Sequence, residues 1–155
     1  MELREEMKGK EVQDFTLKDQ KEGSVTLSDL RGKRVLLSFH PLAWTKVCAQ
    51  QMKDLEKRYE EFEGYRVVPL GLSVDSVPSK AAWAATLGVE RLSMLADFWP
   101  HGGVAATLGL FREREGFSER ANILLDEKGR VLWAKVYDIG QLPNLNELFD
   151  LLKTL

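Results

Sequence analysis

The hydrophobic pattern predicts an α/β fold in which a central mixed β-sheet is flanked by helices on both faces. Short, nearly continuous apolar runs alternate with longer stretches of helical spacing. One strand-helix-strand unit demands a parallel pair, and a turn sequence late in the chain demands an antiparallel one. At 155 residues, 44% hydrophobic and 30% charged, the chain is expected to form one domain, residues 1–155, around a single core.

Val35-Leu36-Leu37-Ser38-Phe39 is almost wholly apolar and stops short of Pro41, the pattern of a strand buried on both faces. From Val47 to Phe62 the spacing predicts an amphipathic helix ended by Gly64. Cys48, Met52, Leu55, Tyr59 and Phe62 lie on one stripe, with Lys53, Asp54, Glu56 and Lys57 opposite. Tyr65 through Val74 reads as a second buried strand, weakened by Pro69 and Gly71. Pro78-Ser79, then Ala81, Ala82, Trp83, Ala84 and Leu87 before Gly88, predicts a crossover helix with a capping serine and a terminating glycine. Met94-Leu95 is a short strand and Gly103 to Leu108 a short helix. Asp126-Glu127-Lys128-Gly129 joins the runs Ala121–Leu125 and Val131–Val136 as an antiparallel hairpin. Leu145, Leu148, Phe149 and Leu152 mark a last amphipathic helix.

A formal net charge of -2 supplies no basic field, so neither nucleic acid nor an anionic membrane surface is an expected partner. No apolar run reaches the length of a bilayer, and Met1–Met7 lacks the apolar centre of a secretion signal, so a cytoplasmic location is expected. His40 and His101 stand at no familiar zinc spacing with Cys48, so no metal and no other cofactor is expected. Trp83, Trp99 and Trp133 fall at positions typical of core packing.

Cys48 is the only cysteine, which excludes an internal disulfide and leaves two readings, a small buried hydrophobe or a reactive thiol. In the first turn of its helix the sulfur would face backbone N–H groups without intrahelical partners and the positive end of the helix dipole. Both favour thiolate over thiol, and the thiolate is the nucleophile.

The segment Phe39-His40-Pro41-Leu42-Ala43-Trp44-Thr45-Lys46-Val47-Cys48 resembles the active-site loop of the peroxiredoxins of the alkyl hydroperoxide reductase and thiol-specific antioxidant group, Pro-x-x-x-Thr/Ser-x-x-Cys. Pro41, Thr45 and Cys48 match it in full. Gly116-Phe117-Ser118-Glu119-Arg120-Ala121 offers a second match, because the family carries an arginine just before this strand that reaches the thiolate. Ser73-Val74-Asp75-Ser76 and Ala96-Asp97-Phe98-Trp99-Pro100-His101-Gly102 extend the likeness over most of the chain. The resemblance implies a thioredoxin-like fold and a thiol peroxidase in which Cys48 attacks a hydroperoxide and becomes a sulfenic acid. Arg120 and Thr45 would stabilise the thiolate and the departing alkoxide, while Pro41 stiffens and shields the loop. It also implies a homodimer packed near the active-site loop, with Trp44 and the His101 loop as contacts.

Two departures stand out. Many members carry a second, resolving cysteine, and this chain has Lys53 at one of its usual positions and no second cysteine anywhere. Reduction is therefore expected from an external thiol, whether thioredoxin, a glutaredoxin-like protein or a small thiol. His40 replaces the aromatic residue common before the proline and is not counted as catalytic. The competing reading is a redox-inactive thioredoxin-fold binding or chaperone module. Trp44-Thr45-Lys46-Val47-Cys48 also resembles a thioredoxin motif with its attacking cysteine replaced by Thr45, which excludes two-thiol disulfide exchange.

Overall fold

The computed structural model describes residues 2–155; Met1, the first residue of the segment read for a leader, lies outside them. In chain order the elements are β1 (Glu2–Leu3), β2 (Thr16–Lys18), β3 (Ser24–Thr26), β4 (Arg34–Phe39), α1 (Lys46–Lys57), α2 (Tyr59–Gly64), β5 (Val67–Ser73), α3 (Val77–Leu87), β6 (Ser93–Ala96), α4 (Gly103–Thr107), β7 (Phe111–Arg112), β8 (Phe117–Ser118), β9 (Arg120–Leu125), β10 (Val131–Tyr137) and α5 (Leu145–Leu152). Six strands make one mixed sheet in the order β1-β10-β9-β4-β5-β6. Strands β4, β5 and β6 are parallel, and β9 runs antiparallel to both β4 and β10.

Strand periodicity divides the sheet into two cores. Val35, Leu37 and Phe39 of β4 share one face with Leu70 and Leu72 of β5 and with Ala121, Ile123 and Leu125 of β9, under Val104 and Ala105 of α4. Leu36 and Leu124 point the other way, into a core built by Cys48, Met52 and Leu55 of α1, Phe62 of α2, Trp83 of α3 and Leu148, Phe149 and Leu152 of α5. Helices thus cover both faces, as the pattern predicts. The alternation has a consequence for chemistry: the polar residues Ser38, Arg120 and Asn122 share the register of Leu36 and Leu124, and all three are buried beneath α1.

Gly71, read as a weakness of its strand, is what lets α1 dock. A Cβ built there would meet Met52 Sδ at 2.5 Å, so a larger residue would make the Met52 thioether shift. Pro69 lies one residue before β5 begins to pair with β6 at Leu70.

The structure corrects four details. The predicted 47–62 helix divides at Arg58, whose backbone leaves helical geometry (φ -101, ψ 18). Its guanidinium sits 4.1 Å above the Phe149 ring and donates to Asn146 and Glu61, so α5 dictates the break. The cap of α3 is Ser76 rather than Ser79; the Ser76 hydroxyl accepts from the Ser79 N–H. Trp99 is not core but 81% exposed, because the turn after β6 directs Asp97 inward instead, where its carboxylate accepts the Val104 and Ala105 N–H groups and caps α4. Strand β1 and the small ribbons β2-β3 and β7-β8 were not foreseen, being runs of two or three residues that carry no measurable period. Among the described residues, no helix is long and apolar enough to cross a membrane.

Candidate active site

Cys48 occupies the third position of α1, after the cap residue Thr45, and has no exposed surface. The loop before it is held in an unusual conformation. Trp44 adopts φ 70, a left-handed value that costs a non-glycine residue about 1 kcal/mol or more and persists only where surrounding bonds enforce it. Here the Trp44 indole N–H donates to Ser79 Oγ at 3.1 Å, and Asp75 Oδ2 accepts the Ala43 N–H at 2.8 Å and the Ser73 hydroxyl at 2.6 Å. Pro41 is buried at the start of this loop, directly after His40, whose N–H still pairs with the Leu72 carbonyl of β5.

Arg120 opens β9 on the face that α1 covers and is 2% exposed. Its Nε and Nη2 both donate to the Ile139 carbonyl, at 2.9 and 2.7 Å. Its Nη1 donates to Gln51 Oε1 at 2.7 Å and to Cys48 Sγ at 3.3 Å. The fork therefore grips a carbonyl with one side and presents the other to the sulfur. Thr45 is placed differently: its hydroxyl is exposed and donates to the Leu42 carbonyl at 2.8 Å, which pins the loop and leaves the oxygen lone pairs as acceptors. The structure thus brings Arg120 to Cys48, sets Thr45 and Pro41 in the loop that leads to it, and leaves His101 away from the sulfur, donating to the Gly116 carbonyl at 2.7 Å.

Gln51 was missed by sequence reasoning. It stands one turn after Cys48 on the same stripe of α1 and is 3% exposed. Its Nε2 donates to Ser38 Oγ at 2.8 Å and to the Phe39 carbonyl at 3.1 Å, and Ser38 in turn donates to Asn122. An amide on an apolar helical stripe was the available signal, since a buried amide must find partners.

A matching description of the whole chain comes from known proteins. The model of the AhpC/TSA family matches residues 8–134. This chain belongs to the AhpC/TSA family of peroxiredoxins. Alkyl hydroperoxide reductase E of Mycobacterium tuberculosis (strain ATCC 25618 / H37Rv) is 36% identical over 148 residues, covering 95% of this chain and 96% of its own length. Peroxiredoxin 2 of Thermoplasma acidophilum is 35% identical over 152 residues, covering 95% of this chain and 75% of its own. Among solved structures, reduced 2-Cys peroxiredoxin of Plasmodium vivax superposes with a TM-score of 0.88 at 27% identity, covering 95% of this AhpC/TSA chain and 80% of its own. Peroxidoxin BcpB of Mycobacterium tuberculosis gives 0.83 at 26% identity, covering 96% and 97%.

Proposed function

We propose that this peroxiredoxin reduces hydroperoxides at Cys48 and is recycled by an external thiol. The observation that carries the reading is the environment of Arg120: a buried guanidinium whose donors go to a carbonyl, an amide oxygen and one sulfur. Of these acceptors only the sulfur is a nucleophile, and the guanidinium sets a positive charge 3.3 Å from it. As that sulfur displaces the distal oxygen of a hydroperoxide, negative charge builds on the leaving oxygen. Arg120 Nη1 is already placed beside the reacting centre to receive it. Thr45, with its proton committed to Leu42, accepts the hydroperoxide O–H and orients it; Pro41 keeps the loop stiff and dry.

The product is a sulfenic acid. With Cys48 the only cysteine of the chain, a thiol of another molecule attacks it, releases water, and leaves a mixed disulfide that a second thiol resolves. Thioredoxin, a glutaredoxin-like protein and a small thiol all supply that chemistry. A homodimer with Trp44, which is 55% exposed, at or near its interface belongs to the same reading. A redox-inactive binding module is not favoured, since it has no use for a buried arginine aimed at a buried sulfur.

The test is peroxide consumption with dithiothreitol as reductant. Wild type is expected to turn over hydrogen peroxide or an alkyl hydroperoxide, and Cys48→Ser to lose that turnover while keeping the fold. Equal rates in the two proteins refute the reading.

A further inference from the structure

Between β4 and β9, the sheet face beneath α1 carries an apolar pair and then a polar one. Leu36 stands opposite Leu124 and, two residues on, Ser38 stands opposite Asn122. Ser38 and Asn122 are 1% and 2% exposed, in a place where a second apolar pair would pack. Replacing two such partners together by apolar groups of similar shape costs little or no stability, so their polarity calls for another explanation. Their hydrogen bonds lead to the reacting sulfur. Ser38 Oγ donates to Asn122 Oδ1 at 2.7 Å and accepts from Gln51 Nε2 at 2.8 Å. Gln51 Oε1 accepts from Arg120 Nη1 at 2.7 Å, and the same Nη1 donates to Cys48 Sγ at 3.3 Å.

We propose that Ser38 and Asn122 set the direction of the Gln51 amide and, through it, the aim of Arg120 at the sulfur, which makes them positioning residues of the peroxidase reaction. The chain of bonds has one workable polarity. A guanidinium only donates and a backbone carbonyl only accepts. Gln51 must therefore turn its oxygen to Arg120 and its nitrogen to the Phe39 carbonyl, 3.1 Å away. A serine hydroxyl is indifferent, able to donate to a glutamine oxygen or to accept from its nitrogen. Asn122 removes that choice, because its Oδ1 takes the Ser38 proton and leaves only lone pairs for Gln51. Turned over, the amide would set donors against donors at Arg120.

The aim matters because of how Arg120 is held. Its Nε and Nη2 share one acceptor, the Ile139 carbonyl, a single point about which the guanidinium can swivel. Gln51 Oε1 is the second point. It takes one of the two Nη1 protons, so that the other faces Cys48. With the second point misplaced, the donor that meets the departing oxygen moves off line, and a shift of about 1 Å at a reacting centre is enough to slow it by about a hundredfold.

The proposal rests on Cys48 being the peroxide-reactive sulfur, and the experiment separates the two. Wild type, Ser38→Ala, the double variant Ser38→Ala/Asn122→Leu and Ser38→Thr are compared in two reactions of Cys48. One is sulfenic acid formation with hydrogen peroxide, followed by stopped-flow fluorescence and verified by the mass of the dimedone adduct. The other is alkylation by iodoacetamide. Both consume the same thiolate, so the ratio of their rates cancels its population, and only the first builds charge on an oxygen. The peroxide-to-alkylation ratio is expected to fall at least about tenfold in Ser38→Ala and in the double variant, and to recover in Ser38→Thr, which restores the hydroxyl. The double variant removes both partners at once and keeps the core apolar, so it reads the relay apart from any loss of folding in Ser38→Ala. A ratio in the double variant that stays at the wild-type value, whether both rates hold or both fall together, overturns the positioning role and leaves the peroxidase reading intact. A wild type that forms no dimedone adduct overturns both.

Discussion

Replacing Lys80 by Met should make the protein more stable at neutral pH and abolish a rise in stability toward alkaline pH. In the unfolded chain Lys80 titrates at its ordinary value of 10.5, and in the folded chain at about 7. Between these values the unfolded state binds a proton that the native state does not, so folding becomes more favourable as pH rises across the window. The gap of roughly 3.5 units, at about 1.36 kcal/mol each, amounts to about 5 kcal/mol, present as a penalty at and below pH 7 and relieved by pH 10.5. Methionine keeps an unbranched stem of similar length in the same pocket and carries no charge to bury. Urea unfolding followed by tryptophan fluorescence, at about pH 7, 8 and 9, should show the two curves converging by about 1.4 kcal/mol per unit. Parallel curves would refute the reasoning.

Arg120→Met leaves the Ile139 carbonyl and the Gln51 amide oxygen without their donor. It should lower stability by about 3 kcal/mol and slow sulfenic acid formation at least about a hundredfold, read by urea unfolding and stopped-flow fluorescence. Arg120→Lys should recover little of that rate, since an ammonium cannot hold Ile139 and face the sulfur at once. Gly71→Ala places a methyl group against Met52 Sδ and should cost about 1 to 3 kcal/mol in urea unfolding; a variant as stable as wild type would mean the Met52 thioether moves aside without loss of packing. His40 is buried neutral with its value well below the ordinary 6.5, so its contribution to stability is present above pH 6.5 and is lost as pH falls below it. His40→Phe should extend the acid tolerance measured by circular dichroism.

The long elements were legible because burial writes a period into sequence. Val35–Phe39 reads as a strand from apolar density, Ala121–Leu125 from its place beside a turn sequence, and the α1 and α5 stripes from helical spacing. What escaped has tertiary causes. The break at Arg58 depends on Phe149 and Asn146, more than eighty residues away in the chain. In the site, Pro41, Thr45 and Cys48 lie in one local segment, whereas Arg120 is 72 residues from Cys48 and was reached through family resemblance, with no local signal of its own. Gln51 was betrayed only by an amide on an apolar stripe, and Lys80 looks like an ordinary helix-surface residue in one dimension. Only the sheet beneath α1 and α3 makes them interior groups that need partners.

The bonds that hold Arg120 are also the bonds that seat α1 on the sheet. Gln51 reaches down to Ser38 and the Phe39 carbonyl of β4 and across to Arg120 of β9, while Ile139 holds the guanidinium from the other side. Cys48 lies one turn before Gln51 on the same helix. The two half-reactions make opposite demands on it. In the proposed mechanism, peroxide reduction uses the sulfur enclosed beside Arg120, where charge is worth most. Reduction by an external thiol needs the same sulfur, which has no exposed surface, to be reached from outside. Ile139 and Gln51 hold the guanidinium by bonds of their own, in addition to its contact with the sulfur, so its position does not depend on that one contact.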